Sequence, residues 1–392
     1  MEPTSPVALV HDYLLVRRGA ERTFEAIAEC WPEAPIYTLL YDREGSEERF
    51  AGRDVRTSYL QRAGARQSSF RRLLPVFPHA IRSLPLSGHP VVVSSSSAFA
   101  HGVRLAPGAR HLCYCHTPFR YAWFETERAL GEVPAALRPA LRGALRGIRA
   151  SDRRRARRVT SYLANSALTK ERIAAFWGRD SEVVHPPVEV TRFRPAAARK
   201  PRSPAPLLVV TELVAHKRVA LALEAAARAG APIQIVGEGP ERGRLEARYR
   251  RDGVEFLGRI GDSELDRRYA SARALVLPTA EEFGIAAVEA QAAGRPVVAA
   301  ATGGALETVL DGETGVLVPP DDADAFARAF AEVDFDRFDP QRIARHAQRF
   351  SKQSFQQRIV SRVEALSAEG APARYPDAAA AARGEAPLST AS

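Results

Sequence analysis

The chain has 392 residues, 45% of them hydrophobic and 8% aromatic, with a net charge of +10. That length suits two domains of roughly 150–200 residues each, and the composition is that of a globular protein. The cysteines at 30, 113 and 115 form no disulfide framework, no stretch approaches 18 uninterrupted apolar residues, and the N-terminus lacks a basic region followed by an apolar core. Together these exclude a disulfide scaffold, a transmembrane helix and a secretory signal, and predict a cytoplasmic protein. The basic balance leaves nucleic acid, anionic membrane surface and anionic ligands open as partners.

Residues 7–10 read as a short apolar strand, followed by His11-Asp12-Tyr13-Leu14-Leu15. Arg17-Arg18-Gly19-Ala20-Glu21 then opens a helix with apolar Phe24, Ile27, Ala28 and Trp31. Strand, glycine-bearing loop and helix make the opening of a Rossmann-like unit. The loop is not G-x-G-x-x-G, so it carries no dinucleotide claim. Further strands are predicted at 35–39 and 90–94. Residues 58–88, rich in Arg, Pro, Leu and Phe without a clean period, are predicted as a long, partly mobile loop region.

Residues 110–115 form the next predicted strand. Cys113 and Cys115 alternate along it without a second ligand pair, so no zinc site is expected. The strand ends in His116-Thr117-Pro118-Phe119-Arg120-Tyr121-Ala122-Trp123. Histidine, arginine and aromatics at a strand end suit a sugar-binding edge, since aromatic faces stack on pyranose rings; a lone histidine there equally suits a structural role. From Leu137 to Arg158 nine arginines accompany Leu137, Leu141, Leu145 and Ile148 at helical spacing. This basic amphipathic helix is open to three readings: a solvated face, a membrane-surface contact, or nucleic acid. A strand at 159–163 runs into Ala164-Asn165-Ser166, followed by a helix at 168–177 and a strand at 182–188. Residues 195–206, rich in Pro, Ala and basic side chains, form the predicted linker.

The second half alternates more cleanly, with strands at 207–210, 233–236, 254–257, 274–277 and 297–300. Each is followed by a polar or glycine-bearing loop, and most then by a helix, which predicts a doubly wound parallel sheet. Ligands of such sheets sit at the carboxyl ends of the strands. The first loop holds Glu212, His216, Lys217 and Arg218. A lysine there can neutralise a departing diphosphate, or simply be solvated. The second holds Gly237-Glu238-Gly239-Pro240, read as a turn with proline in the first helical turn, and the third Gly258-Arg259-Ile260.

The fourth loop carries Glu281, Phe283 and Gly284, and the helix after it carries Ile285 and Glu289. Two carboxylates beside free helix N–H groups suit sugar or ribose hydroxyls. Acidic residues near a helix start are also favoured by the dipole alone. The fifth loop, Ala301-Thr302-Gly303-Gly304, either approaches phosphate closely or merely turns. Amphipathic helices are predicted at 323–330, 342–350 and 355–366, and a disordered tail at 367–392.

The spacing Glu281-x7-Glu289 with Phe283-Gly284 inside it resembles the signature of retaining glycosyltransferases of the GT-B type, family 4 (group 1). His11-Asp12-Tyr13-Leu14, Ser95-Ser96-Ser97-Ala98-Phe99-Ala100, Tyr114-Cys115-His116-Thr117-Pro118-x-Arg120-Tyr121-Ala122-Trp123, and Asn165-Ser166 with Pro186-Pro187-Val188 are similar to its bacterial mannosyltransferase-like subgroup. The resemblance implies an α/β protein with two Rossmann-like domains facing across a cleft. Residues 1–197 would be the acceptor side and 198–352 the donor side, with a last helix at 353–366 crossing back onto the first domain.

It also implies transfer of a hexosyl unit from a nucleotide-diphosphate sugar, GDP-mannose rather than a UDP-sugar, to a hydroxyl of a glycan or lipid-linked acceptor. No metal or other cofactor is implied, nor nucleic acid. Peripheral contact of 137–158 with the inner membrane face would suit a lipid-linked acceptor. By resemblance, Lys217 holds the diphosphate beside Arg218, and Glu289 takes the ribose hydroxyls. Glu281 and the N–H groups of Phe283, Gly284 and Ile285 hold the donor sugar. His116 sits near sugar and acceptor, Gly19 lies at the cleft with Ala20 replacing the usual second glycine, and Gly258, Arg259 and Ile260 face the base. Glu212 departs from the family, which carries arginine five positions before the lysine; Arg218 or an arginine of the other domain would have to substitute. The alternatives are a nucleotide-sugar epimerase or phosphorylase on the same architecture, and a degenerate GT-B binding subunit.

Overall fold

A computed structural model describes residues 6–63, 70–86, 88–193 and 205–368. Nearly all of the predicted linker, and the predicted tail beyond Ala368, lie outside the described residues. The first half is a seven-stranded parallel sheet in the order β3-β2-β1-β4-β5-β6-β7. Its strands are β1 (Val7–His11), β2 (Ile36–Thr38), β3 (Val55–Thr57), β4 (Val91–Ser96), β5 (Arg110–Cys115), β6 (Ser161–Ala164) and β7 (Glu182–Val183). The second is a six-stranded parallel sheet in the order β10-β9-β8-β11-β12-β13. Its strands are β8 (Leu207–Val210), β9 (Ile233–Val236), β10 (Val254–Gly258), β11 (Ala274–Leu277), β12 (Val297–Ala300) and β13 (Gly315–Val318). This is the two-sheet α/β architecture expected. In each sheet the strand order reverses once, between β1 and β4 and between β8 and β11. A crevice opens at the carboxyl ends of strands on either side of such a reversal.

The helices, in chain order, are α1 (Gly19–Glu29), α2 (Phe77–Ala80), α3 (Arg120–Trp123), α4 (Thr126–Gly131), α5 (Arg138–Ala156), α6 (Ala167–Trp177), α7 (Val219–Arg228), α8 (Arg242–Tyr249), α9 (Asp262–Ser271), α10 (Ile285–Ala292), α11 (Ala305–Thr308), α12 (Ala323–Glu332), α13 (Pro340–Ala347) and α14 (Lys352–Ala368). Central strands are buried on both faces because helices cover both. The period-2 alternation splits β1 accordingly. Ala8 and Val10 face one apolar layer with Phe77 and Ile81, while Val7 and Leu9 face another with Phe24 and Ile27. That second layer also takes Phe355, Ile359, Val363 and Leu366 of α14. Spaced about one helical turn apart, these four line one face of α14 and pack in the same layer as Val7 and Leu9 of β1.

Two expectations need correction. Residues 58–88 are not simply a loop: single helical turns at Tyr59–Ala63, Phe70–Leu73, Phe77–Ala80 and Ile81–Ser83 occupy much of it. Phe77 and Ile81 are 0% exposed, so the apolar residues without a period are core anchors. The strand expected at 182–188 ends at Val183, before Pro186 and Pro187, which cannot donate to a ladder. Two edge strands, β3 and β13, carry no strong sequence signal.

Helix α5 turns Leu145 fully inward with Leu141 and Ile148 against the first-domain core, while Arg138, Arg142 and Arg146 are exposed. Two of its arginines are structural: Arg149 Nη2 donates to Thr126 Oγ1 at 2.7 Å, and Arg153 Nε to the Phe176 carbonyl at 2.9 Å. Among the described residues no helix is long and apolar enough to cross a membrane.

Candidate active site

The loops leaving β8 and β11 are neighbours because their strands are neighbours at the reversal. Thr279 Oγ1 ties them by donating to the His216 carbonyl at 2.9 Å. Lys217 Nζ then lies 2.6 and 2.7 Å from the two carboxylate oxygens of Glu281. Both side chains are about a fifth exposed (21% and 17%) and open to the crevice. The two residues expected to hold different parts of a donor are hydrogen-bonded to each other.

Gly284 begins α10 at φ +86°, a conformation that favours glycine. The N–H groups of Phe283, Gly284 and Ile285, just before and at the start of α10, have no partner within the helix. The Phe283 ring is buried and stacked 5.4 Å from His185, so only its backbone serves the crevice. Gly303 and Gly304 make their close approach to this loop itself. A Cβ on Gly303 would lie 2.4 Å from the Glu281 carbonyl, and one on Gly304 2.4 Å from Phe283. Gly304 N–H donates to the Glu281 carbonyl at 2.8 Å. The glycine pair packs closely on the Glu281 loop.

Glu289 sits within α10 and is 9% exposed. One oxygen accepts from Tyr269 Oη at 2.8 Å; the other lies 4.0 Å from Arg22 Nη1 on α1, across the crevice. Burial raises its carboxyl above the usual range, against the lowering by the Tyr269 hydrogen bond and Arg22. Of the other expected donor residues, Arg218 pairs with Asp321 at 2.7 Å. Gly258 ends β10 at φ +68°, Arg259 is exposed, and Ile260 packs on the second-domain core.

The first domain meets this surface with the carboxyl ends of β1, β4 and β5. Gly19 faces the start of α10, where a Cβ would lie 3.4 Å from Ile285 Cδ1. Asp12, not singled out from the sequence, is the organiser here. Its carboxylate accepts four backbone N–H groups, from Ser97 (2.5 Å), Ala98 (3.0 Å), Phe99 (2.7 Å) and Ala100 (2.7 Å). Those four N–H groups would otherwise be unpaired at the strand end. His116 is buried, with Nε2 2.8 Å from Ser95 Oγ. Burial, then His11, lowers its pKa to about 3, so the ring is neutral and acts by hydrogen bonding rather than as a cation. In the sheet, His111 is lowered to about 3 by burial, then by His101.

These two histidines set a pH dependence. Their folded values lie below the ordinary 6.5, so between about 6.5 and 3 the unfolded chain binds more protons. Stability is therefore present above pH 6.5 and lost as pH falls. Together they contribute a slope of up to roughly 2.7 kcal/mol per pH unit near pH 5. Urea unfolding free energies should fall accordingly between pH 7 and pH 5; a flat profile would contradict it.

Several ion pairs join the domains. Arg18 Nη1 lies 3.8 Å from Glu212 Oε2, so the anomalous carboxylate faces a cation from the other domain. Glu282 lies 3.6 Å from Arg120 and 3.5 Å from Arg172. Glu307 accepts the Ala167 N–H at 2.8 and 2.9 Å and lies 2.9 Å from His185 Nε2. Among the described residues no group of three or more His, Cys, Asp or Glu side chains could hold a metal ion.

Residues 17–192 match the family model described as Glycosyltransferase Family 4, and residues 191–353 match that described as Glycosyl transferases group 1. The glycogen synthase of Mycobacterium tuberculosis is 35% identical over 205 residues, covering 49% of each chain. The D-inositol 3-phosphate glycosyltransferase of Streptomyces scabiei is 31% identical over 291 residues, covering 60% of this chain and 64% of that one. The chain spans about half to two thirds of the length of these curated relatives. Among solved structures, Anabaena HepE in complex with UDP superposes with a TM-score of 0.64 at 17% identity, covering 92% of this chain and 99% of that one. The sucrose-phosphate synthase of Thermosynechococcus elongatus superposes at 0.69 and 17%, with the same coverage. At such identity the structural likeness is one of fold.

Proposed function

We propose, for a chain that belongs to the family 4 (group 1) glycosyltransferases of GT-B fold, the transfer of a hexosyl unit from a nucleotide-diphosphate sugar to a hydroxyl, with retention at the anomeric carbon. The observation that carries this reading is the Lys217–Glu281 pair at the carboxyl ends of β8 and β11, with Glu289 in the helix behind it. Departure of the diphosphate leaves oxocarbenium character on the sugar and charge on the leaving group. Lys217 meets that charge as it develops. Its exchange from Glu281 to the diphosphate frees the carboxylate for sugar hydroxyls, beside the N–H groups that open α10. Glu289 takes the ribose hydroxyls, and His116 stands on the facing domain near sugar and acceptor. Arg18, opposite Glu212, offers the cation that the missing family arginine would have supplied. This weighs against the degenerate binding subunit.

The acceptor is a hydroxyl of a glycan or a lipid-linked sugar. A lipid-linked one would bring the exposed Arg138, Arg142 and Arg146 against an anionic bilayer. Anabaena HepE was solved with UDP, whereas the subgroup resemblance favours GDP-mannose. UDP, GDP and ADP, each added at one common concentration, test the choice. The true ligand should stabilise the fold most, by roughly 2.7 kcal/mol where that concentration is about 100 times its Kd, and its sugar conjugate should support transfer. A chain stabilised by none of the three refutes the donor assignment, and failure to pellet with anionic vesicles refutes the membrane contact.

A further inference from the structure

The polar side chains at the carboxyl ends of β1, β4 and β5 form one line. His116 Nε2 lies 2.8 Å from Ser95 Oγ, Ser95 Oγ lies 3.1 Å from His11 Nδ1, and His11 Nε2 lies 3.8 Å from Glu21 Oε1. All four residues are buried. Ser95 has one hydroxyl proton and two imidazole neighbours, so it donates to one and accepts from the other. Joined in this way, two imidazoles that each carry a single ring proton cannot choose their tautomers independently.

Suppose Ser95 donates to His116. His11 must then carry its proton on Nδ1, and it turns the Nε2 lone pair toward the Glu21 carboxylate. If instead Ser95 donates to His11, the His11 proton sits on Nε2 and points at that carboxylate. At 3.8 Å the contact is electrostatic rather than a hydrogen bond. In a water-poor site its sign still decides between the two, because an N–H dipole is attracted to a carboxylate that a lone pair repels. Both oxygens of the nearby Asp12 carboxylate are already engaged by backbone N–H groups.

We propose that Glu21, acting through His11 and Ser95, holds His116 as the Nε2–H tautomer and leaves its Nδ1 as a lone-pair acceptor for a substrate hydroxyl. The His116 ring is 8% exposed, and among the described residues its only side-chain hydrogen bond is the one through Nε2. The neutrality of the buried ring is what makes tautomer, rather than charge, its working variable. Glu21 and Ser95 are thus positioning residues for a hydroxyl that would otherwise meet an N–H. The substrate part of this inference rests on the glycosyl-transfer reading; the tautomer part does not.

The two parts are tested separately. Protein labelled with 15N in its imidazole rings, at pH 8, reports the protonated nitrogen through long-range 1H–15N correlations. His11 and His116 should both carry the proton on Nε2. Glu21→Gln keeps an acceptor for the Arg18 N–H, which Glu21 Oε2 now accepts at 2.9 Å, but removes the charge. In that variant His116 should become a mixture of tautomers, and kcat should fall about tenfold with the donor KM within about twofold. Ser95→Ala should show the same kinetic split. Nδ1–H on His116 in the wild-type protein overturns the proposal, as does unchanged kcat in Glu21→Gln. A wild-type protein with Nε2–H on both rings that transfers no sugar supports the relay and overturns the glycosyl-transfer reading alone.

Discussion

Lys217→Ala is expected to lower kcat for glycosyl transfer by about two to three orders of magnitude, the range seen when one preorganised group facing developing negative charge is removed. Lys217 ends the short turn Ala215–Lys217 after β8, and its ammonium is held by both oxygens of Glu281. That contact fixes where the cation stands, at the carboxyl ends of β8 and β11. The loss should fall on kcat more than on KM, because leaving-group charge is greatest in the transition state. Stability should change little: a pair about a fifth exposed is partly screened, and exposed pairs contribute on the order of 0–1 kcal/mol. Lys217→Arg should recover part of the activity by restoring charge without the compact ammonium geometry. Steady-state kinetics beside a thermal melt check this. A Lys217→Ala protein with kcat within threefold of the parent would remove the diphosphate role.

The same lysine marks where the sequence was readable and where it was not. Strands β5, β8, β9, β11 and β12 stand at their predicted limits, because each is a buried run bounded by polar or turn residues. Strands β3 and β13 lie at sheet edges. In β3 the residues Val55, Arg56 and Thr57 are half-buried or exposed, so no apolar run marks it. The positions of Lys217 and Glu281 after strand ends, and of Glu289 in the following helix, followed from the strand–helix alternation and the E-x7-E spacing. Their partners did not. Lys217 and Glu281 are 64 residues apart, and Arg18 meets Glu212 from the other domain. Such pairs are fixed by strand order and domain apposition, which no local period encodes. Asp12 could have been suspected as an acid at the end of a buried strand, facing a serine run with N–H groups to satisfy. The glycine pair at 303–304 was read only as phosphate or turn; its contact is the Glu281 loop.

Glu289→Ala is expected to weaken donor binding by about two to three orders of magnitude, roughly 2.7–4 kcal/mol, with a smaller effect on the chemical step. Its carboxylate is preorganised for hydroxyls. One oxygen is fixed by Tyr269 Oη, the other is directed across the crevice toward Arg22, and the side chain stands within α10. Hydrogen bonds to a charged acceptor are the stronger kind, and a site built to accept hydroxyls discriminates sharply against analogues lacking them. The informative measurement is a cycle with a deoxyribose donor. The parent should bind ribose and deoxyribose donors very differently, and Glu289→Ala should hardly tell them apart. Glu289→Gln should lie between, since its amide oxygen still accepts from Tyr269. Alanine also leaves the buried Tyr269 hydroxyl unpaired, at a cost of about 1–3 kcal/mol, so binding must be measured below the melting transition of the variant. A Glu289→Ala protein that still prefers the ribose donor as strongly as the parent would move the ribose site elsewhere.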